Sequence, residues 1–233
     1  MNLSWTLYDH STVERLIREE PEILPLPSVN VPLDERWNRQ HLNIAITQGI
    51  LQGESIPHIG DRLQRILGMD RTAAIRSART ATTAAECAGR IDAFKYAESL
   101  GVQLKQRWKA TLDGKTRHAH QILDGQMVDV GQPFHVDGIE IRQPGDPRAP
   151  GYLIYNCRCT IESVDKYHDP KAPRVAENPL TGKPEIVQGM TYTEWAAKHK
   201  AENPEAWELY QKKSQNLASD KKQYAEFKDG NSC

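Results

Sequence analysis

Between Asp70 and Gly101 thirty residues run without a proline, and alanine recurs throughout. Alanine has the highest intrinsic helix propensity, Asp70 is a good N-terminal cap, and Gly101 is a natural stop. One long helix is therefore expected over this stretch. Gly89 is its weak point, a place for a close helix crossing or a break. Two shorter helical patterns precede it. "RWNRQHLNIAITQGILQG" carries Trp37, Leu42, Ile46, Ile50 and Leu51 near helical spacing and stops at Gly53. "SIPHIGDRLQRILGM" restarts at Ser55 with Pro57 in the first turn, and Ile59, Leu63, Ile66 and Leu67 share a face.

After Gly101 the signal changes period. "VQLKQRWKAT" alternates as a strand through Val102, Leu104 and Trp108. "TRHAHQILDG" reads as a short helix capped by Thr116 and ended near Gly125, and "QMVDV" as a short strand. In "PFHVDGIEIR" the Asp137-Gly138 pair between alternating apolar residues signals a hairpin. "QPGDPRAPG" is a rigid loop in which Asp146 caps backbone amides. "YLIYNCRCTIESV" is expected as a closing strand, with Cys157, Cys159, Ile161 and Ser163 on one face. The fold class is α+β: a helical N-terminal region, a small antiparallel β-sheet with a short helix, and a polar, mostly helical C-terminal tail.

Three segments follow from composition: 1–40, 41–164 and 165–233. The first opens with a capping box at Ser11 and Glu14, then Pro21, Pro25, Pro27 and Pro32 favour an extended arm. Its apolar residues Ile23, Leu24, Leu26 and Val29 need a surface to lie against, on this chain or on another subunit. The last segment is linker-like, then polar and helical, anchored by Trp195, Trp207, Leu209 and Tyr210. Helices polar nearly all round are marginal alone, so this tail is expected to be partly ordered or docked on a partner. Ile23, Leu24, Leu26, Trp195 and Trp207 are thus the candidate partner-binding residues.

Thirty basic against thirty-one acidic side chains leave a net charge of −1, so no global field points to nucleic acid or a membrane. Residues 61–117 hold twelve basic and six acidic side chains, either a solvated face or a weak, phosphate-driven contact with DNA. No apolar run is long enough to cross a bilayer, no signal peptide is expected, and no membrane is required for folding. Four cysteines, one near the C-terminus and one in a helical stretch, do not make a disulfide framework, and a reducing cytoplasm fits.

Cys157 and Cys159 admit several readings. A disulfide between them is disfavoured by near-parallel Cβ directions on an extended strand. A Zn2+ site would combine them with His120 and a fourth ligand from His118, His135 or Asp113. Alternatively they pack as small residues beside Ile161. A nucleophilic or redox role lacks an activating partner in the sequence. Asp113, Arg117 and Asp124 suggest an ionic network, with Arg117 bridging two carboxylates across a strand–loop–helix corner.

Taken in order, Gly101, Trp108, Asp113, Thr116, Arg117, His120, Leu123, Asp124, Gly125, Pro133, Phe134, Pro144 to Pro147 and Asn156 to Cys159 resemble the phage Mu F-like head morphogenesis family. The likeness spans residues 41–164. One departure is Ala78-Arg79-Thr80-Ala81, where the family often has Glu at the last position. The resemblance implies a non-catalytic minor head protein in the virion, in the head interior or near the portal, passing through the host cytoplasm during assembly. Its implied partners are the portal protein, major capsid or scaffold proteins, and packaged DNA. It would assist head assembly, packaging or ejection. No cofactor is expected from it, with Zn2+ the one ion the Cys157, Cys159 and His120 set could take. Some relatives carry the domain fused to toxins, but residues 165–233 show no toxin active-site pattern. The alternatives are a zinc-dependent hydrolase, nuclease or toxin-like enzyme, and a DNA-binding accessory protein.

Overall fold

In the computed structural model, which describes residues 44–217 apart from Met69, the alanine-rich run is a single helix. A helical segment at 44–51 leads into α1 (Ile56–Leu67) and then α2 (Arg71–Ser99). The Asp70 carboxylate accepts the Thr72 and Ala73 N–H groups at 2.9 and 3.2 Å, the expected cap. Gly89 lies inside α2 without breaking it. The N-terminal half of α2 buries Ala74, Ala78 and Ala81 against Ile46, Ile50, Ile59 and Leu63. Small side chains let the three helices approach closely. The C-terminal half turns Cys87 and Ile91 into a second core.

That second core belongs to an antiparallel sheet of β1 (Lys105–Lys109), β2 (Met127–Asp129) and β5 (Thr160–Val164), in the order β2-β1-β5. Trp108 stands opposite Ile161, and both are fully buried. Beside the sheet, β3 (Phe134–Val136) and β4 (Ile139–Ile141) form the expected hairpin, with Asp137 and Gly138 both at positive φ. Two short helices, α3 (His118–Leu123) and α4 (Gly151–Ile154), close the core with Leu123 and Leu153.

Three local expectations are corrected. The closing strand is shorter: residues 151–154 are helical and Asn156 reverses the chain at φ 60°, so β5 begins only at Thr160. Leu153 and Ile154 are both buried, which a two-residue alternation would forbid. β1 starts at Lys105, leaving Val102 exposed outside it. Thr116 does not cap α3; its hydroxyl instead donates to the Thr111 carbonyl at 2.6 Å, and Arg117 holds the cap position.

The largest difference is after residue 164. The proline-rich stretch forms a second hairpin, β6 (Pro173–Glu177) with β7 (Pro184–Gln188), each strand opening on a proline. Two helices follow, α5 (Tyr192–Glu202) and α6 (Pro204–Leu217). Thr191 and Glu194 form a reciprocal capping box at the start of α5. Leu112, Ala176, Val187, Tyr192, Trp195, Trp207 and Tyr210 make a third core. Trp195 and Trp207, expected to face a partner, are only 0% and 5% exposed. Their rings meet edge to face at 5.5 Å, so they fasten the tail to its own chain. Ile23, Leu24 and Leu26 lie outside the described residues. Among the described residues no helix is long and apolar enough to cross a membrane.

Candidate functional site

The residues singled out by the sequence converge where α3 meets the chain entering β5. Helix α3 turns His120 and Leu123 inward together, and both are buried. His120 Nε2 donates to the Leu153 carbonyl at 2.7 Å. A carbonyl can only accept, so Nε2 carries a proton and Nδ1 is the nitrogen left facing the core. That nitrogen faces two sulfurs, Cys159 Sγ at 3.3 Å and Cys157 Sγ at 3.7 Å. The imidazole also sits edge-on to Trp108, with ring centres 5.7 Å apart.

The cysteines are aimed by α2. Asn156, in the left-handed conformation, gives its N–H to Thr80 Oγ1 at 2.9 Å. The Arg79 guanidinium donates to the Asn156 side-chain oxygen, and Thr83 Oγ1 donates to the Cys157 carbonyl at 2.9 Å. Arg117 donates to the Tyr155 carbonyl. A four-residue turn is thus held from two helices, and both thiols point into the core. The absent Glu at position 81 leaves this grip intact, because Arg79, Thr80 and Thr83 supply it.

The two thiols are shifted in opposite directions. A hydrogen bond from Cys159 holds Cys157 below the ordinary thiol range, with His120 adding to the effect. Cys159 is pushed up, first by burial and then by the hydrogen bond and charge of Cys157. Cys87, also in this core, is raised by burial. The donors suggested as a fourth ligand are placed elsewhere. His118 and His135 are exposed, and Asp113 is engaged by Arg158. Among the described residues the convergent group is His120, Cys157 and Cys159 alone.

The acidic residues of the motif are structural tethers, but not through Arg117. Asp113 accepts from Arg158 on both oxygens, from the Lys115 N–H at 2.9 Å and from Thr116 Oγ1 at 3.2 Å. Burial raises the Asp113 carboxyl, but hydrogen bonds and charge from Arg158 outweigh it and leave the group below its usual range. Asp124 pairs with Arg174 at 3.0 Å and accepts the Ala110 and Tyr192 N–H groups, each at 2.6 Å. The carboxylate bridge expected of Arg117 is divided between Arg158 and Arg174, while Arg117 donates to the Tyr155 carbonyl. Gly125, at φ 86°, follows Asp124; a Cβ there would meet Thr191 Cγ2 at 2.9 Å. Asp146 caps its loop, accepting the Arg142 and Arg148 N–H groups at 2.9 and 3.1 Å.

Sequence reasoning missed Thr80, Thr83, Arg174 and Tyr192. Each acts across a long chain separation, and a Thr on a helix or an Arg in a proline-rich stretch carries no local signal of a distant partner.

The order of these residues along the chain is that of a known family: the family model described as "Phage Mu protein F like protein" matches residues 40–162. The chain belongs to the phage Mu protein F-like family. It is 28% identical over 209 residues to minor head protein GP7 of Bacillus phage SPP1, covering 86% of this chain and 64% of that protein. It is also 31% identical over 161 residues to the NAD(+)–arginine ADP-ribosyltransferase EFV of Enterococcus faecalis, covering 68% of this chain and 31% of that protein. The chain therefore spans less than two thirds of the length of either relative. No solved structure matches it. In Mu F-like terms, the family match ends within β5, whereas the similarity to the SPP1 protein is long enough to take in elements beyond it.

Proposed function

We propose that this Mu F-like chain is a minor head protein that sits in the virion head, against the portal or the inner capsid, and assists head assembly, packaging or ejection without catalysis. One observation carries the reading: similarity to a phage minor head protein extends over 86% of the chain. The geometry is consistent with a rigid docking body. Its motif residues are spent on internal tethers, at Asp113–Arg158, Asp124–Arg174 and Asp146–Arg142. The proline-rich arm, with Ile23, Leu24 and Leu26, supplies the apolar segment for a partner surface.

Direct DNA contact is the less supported role. Much of the basic surplus already has carboxylate partners: Arg62 with Glu54, Arg71 with Asp61, Lys105 with Asp129, and Arg107 and Lys109 with Glu162. The ADP-ribosyltransferase relative shares under a third of its own length with this chain, which lends its activity no support here. The test is co-purification of the full chain with the portal protein of its own phage. Retention is expected, and it should weaken when residues 1–40 are removed. A failure of the full chain to be retained on portal or on assembled procapsids would sink the proposal.

A further inference from the structure

At the buried cluster, one ring nitrogen of His120 faces two sulfurs at once. With Nε2–H committed to the Leu153 carbonyl, Nδ1 is the one ring nitrogen left to meet a sulfur. Two sulfurs nevertheless straddle it, at 3.3 and 3.7 Å. A tetrahedral ion with Zn–N near 2.0 Å and Zn–S near 2.3 Å would place nitrogen and sulfur about 3.5 Å apart. The two observed separations bracket that value. All three donor atoms lie within 4.8 Å of one another, and all three residues are buried.

The surroundings suit an ion as well. An imidazole that donates its far N–H to a backbone carbonyl has the orientation and tautomer that metal-bound histidines use. The Cys159 N–H points at Cys157 Sγ at 3.4 Å. The Trp108 indole N–H is fully buried and has no hydrogen-bond partner among the described residues. N–H groups aimed at sulfur stabilise thiolate charge.

We propose that His120 Nδ1, Cys157 Sγ and Cys159 Sγ bind one Zn2+ ion. Binding forms one Zn–N and two Zn–S bonds, and the two thiol protons leave to solvent. Three protein donors leave one coordination position, taken by water or another solvent-supplied donor. The ion ties α3 to the turn entering β5. This inference is independent of the portal-docking proposal.

The test uses the full chain, stripped with a chelator and titrated with Co2+ as a spectroscopic stand-in for Zn2+. Saturation at about one ion per chain is expected, with thiolate-to-cobalt charge-transfer absorption that Zn2+ abolishes. His120→Gln and Cys159→Ser should each weaken binding by more than about tenfold. Wild-type chain that gives no charge-transfer band, or less than about 0.1 ion per chain, overturns the proposal whatever the variants do. Undiminished binding in a folded Cys157→Ser/Cys159→Ser chain overturns it too.

Discussion

Arg174 reaches back 50 residues to Asp124, and the two form an ion pair at 3.0 Å with side chains 10% and 0% exposed. The same guanidinium donates to the Met190 and Ala110 carbonyls, and Asp124 takes the Ala110 and Tyr192 N–H groups. Both terminal nitrogens of the guanidinium and both carboxylate oxygens are used. Two loops, a hairpin and the first turn of α5 are fixed at one point.

Removing one partner leaves the other charge buried and uncompensated, which costs about 3–5 kcal/mol. Arg174→Ala should therefore lower stability by that order in urea unfolding of the full chain. Arg71→Ala is the contrast: its pair with Asp61 is largely exposed, so a change of at most about 1 kcal/mol is expected. Equal costs for the two variants would contradict the burial argument.

Thr80→Val keeps the shape of the α2 face and removes the acceptor for the Asn156 N–H, a half-buried hydrogen bond. Losing that bond costs about 0.5–1.5 kcal/mol, and the turn that aims both cysteines should loosen. Thermal melting measures the first effect. Faster labelling of Cys157 and Cys159 by a thiol reagent in the native state measures the second.

Trp195 is fully buried between Tyr192, His199 and Trp207, with ring centres 5.2 to 5.5 Å away. Trp195→Ala should cost about 3–5 kcal/mol. It should also make the region beyond residue 164 the first site of limited proteolysis. In the wild type that region should resist cleavage as long as the rest of the domain does. Early loss of the tail from the wild type would show it to be loosely attached.

Asp113 gives a pH dependence. Its carboxyl in the folded chain lies below its unfolded value of about 3.9, so the unfolded chain binds its proton first as pH falls. Its contribution is fully present above the unfolded value and is lost as pH drops through the lower folded one. Asp146 and Glu162, also lowered, act in the same direction. Acid unfolding monitored by tryptophan fluorescence should be less steep in Asp113→Asn below about pH 4, although that variant is less stable at neutral pH. An unchanged acid limb would show that Asp113 is not the group responsible.

Local signals identified α2, its Asp70 cap, the Asp137-Gly138 hairpin and the Asp146 loop, because each depends on residues within a few positions. The convergence of His120 with Cys157 and Cys159 followed from motif order, not from spacing. The strand drawn through residues 152–164 failed because alternation cannot see that Leu153 and Ile154 are both covered by the same core. The tail was misjudged for a similar reason. Its helices are polar on most faces, and only a pair of aromatic residues per helix reveals a docking side.

The sequence by itself determined the long helices, the Asp137-Gly138 turn and the inventory of donors, all set by short-range sterics, propensity and capping. Tertiary structure alone decided which arginine met which carboxylate, that two tryptophans face inward, and that three soft donors share one small volume. The Asp113–Arg158 and Asp124–Arg174 pairs and the His120–cysteine contacts join residues 37 to 50 positions apart. At such separations, burying a charge or an N–H favours whichever partner packing brings into reach, and no local pattern encodes that choice.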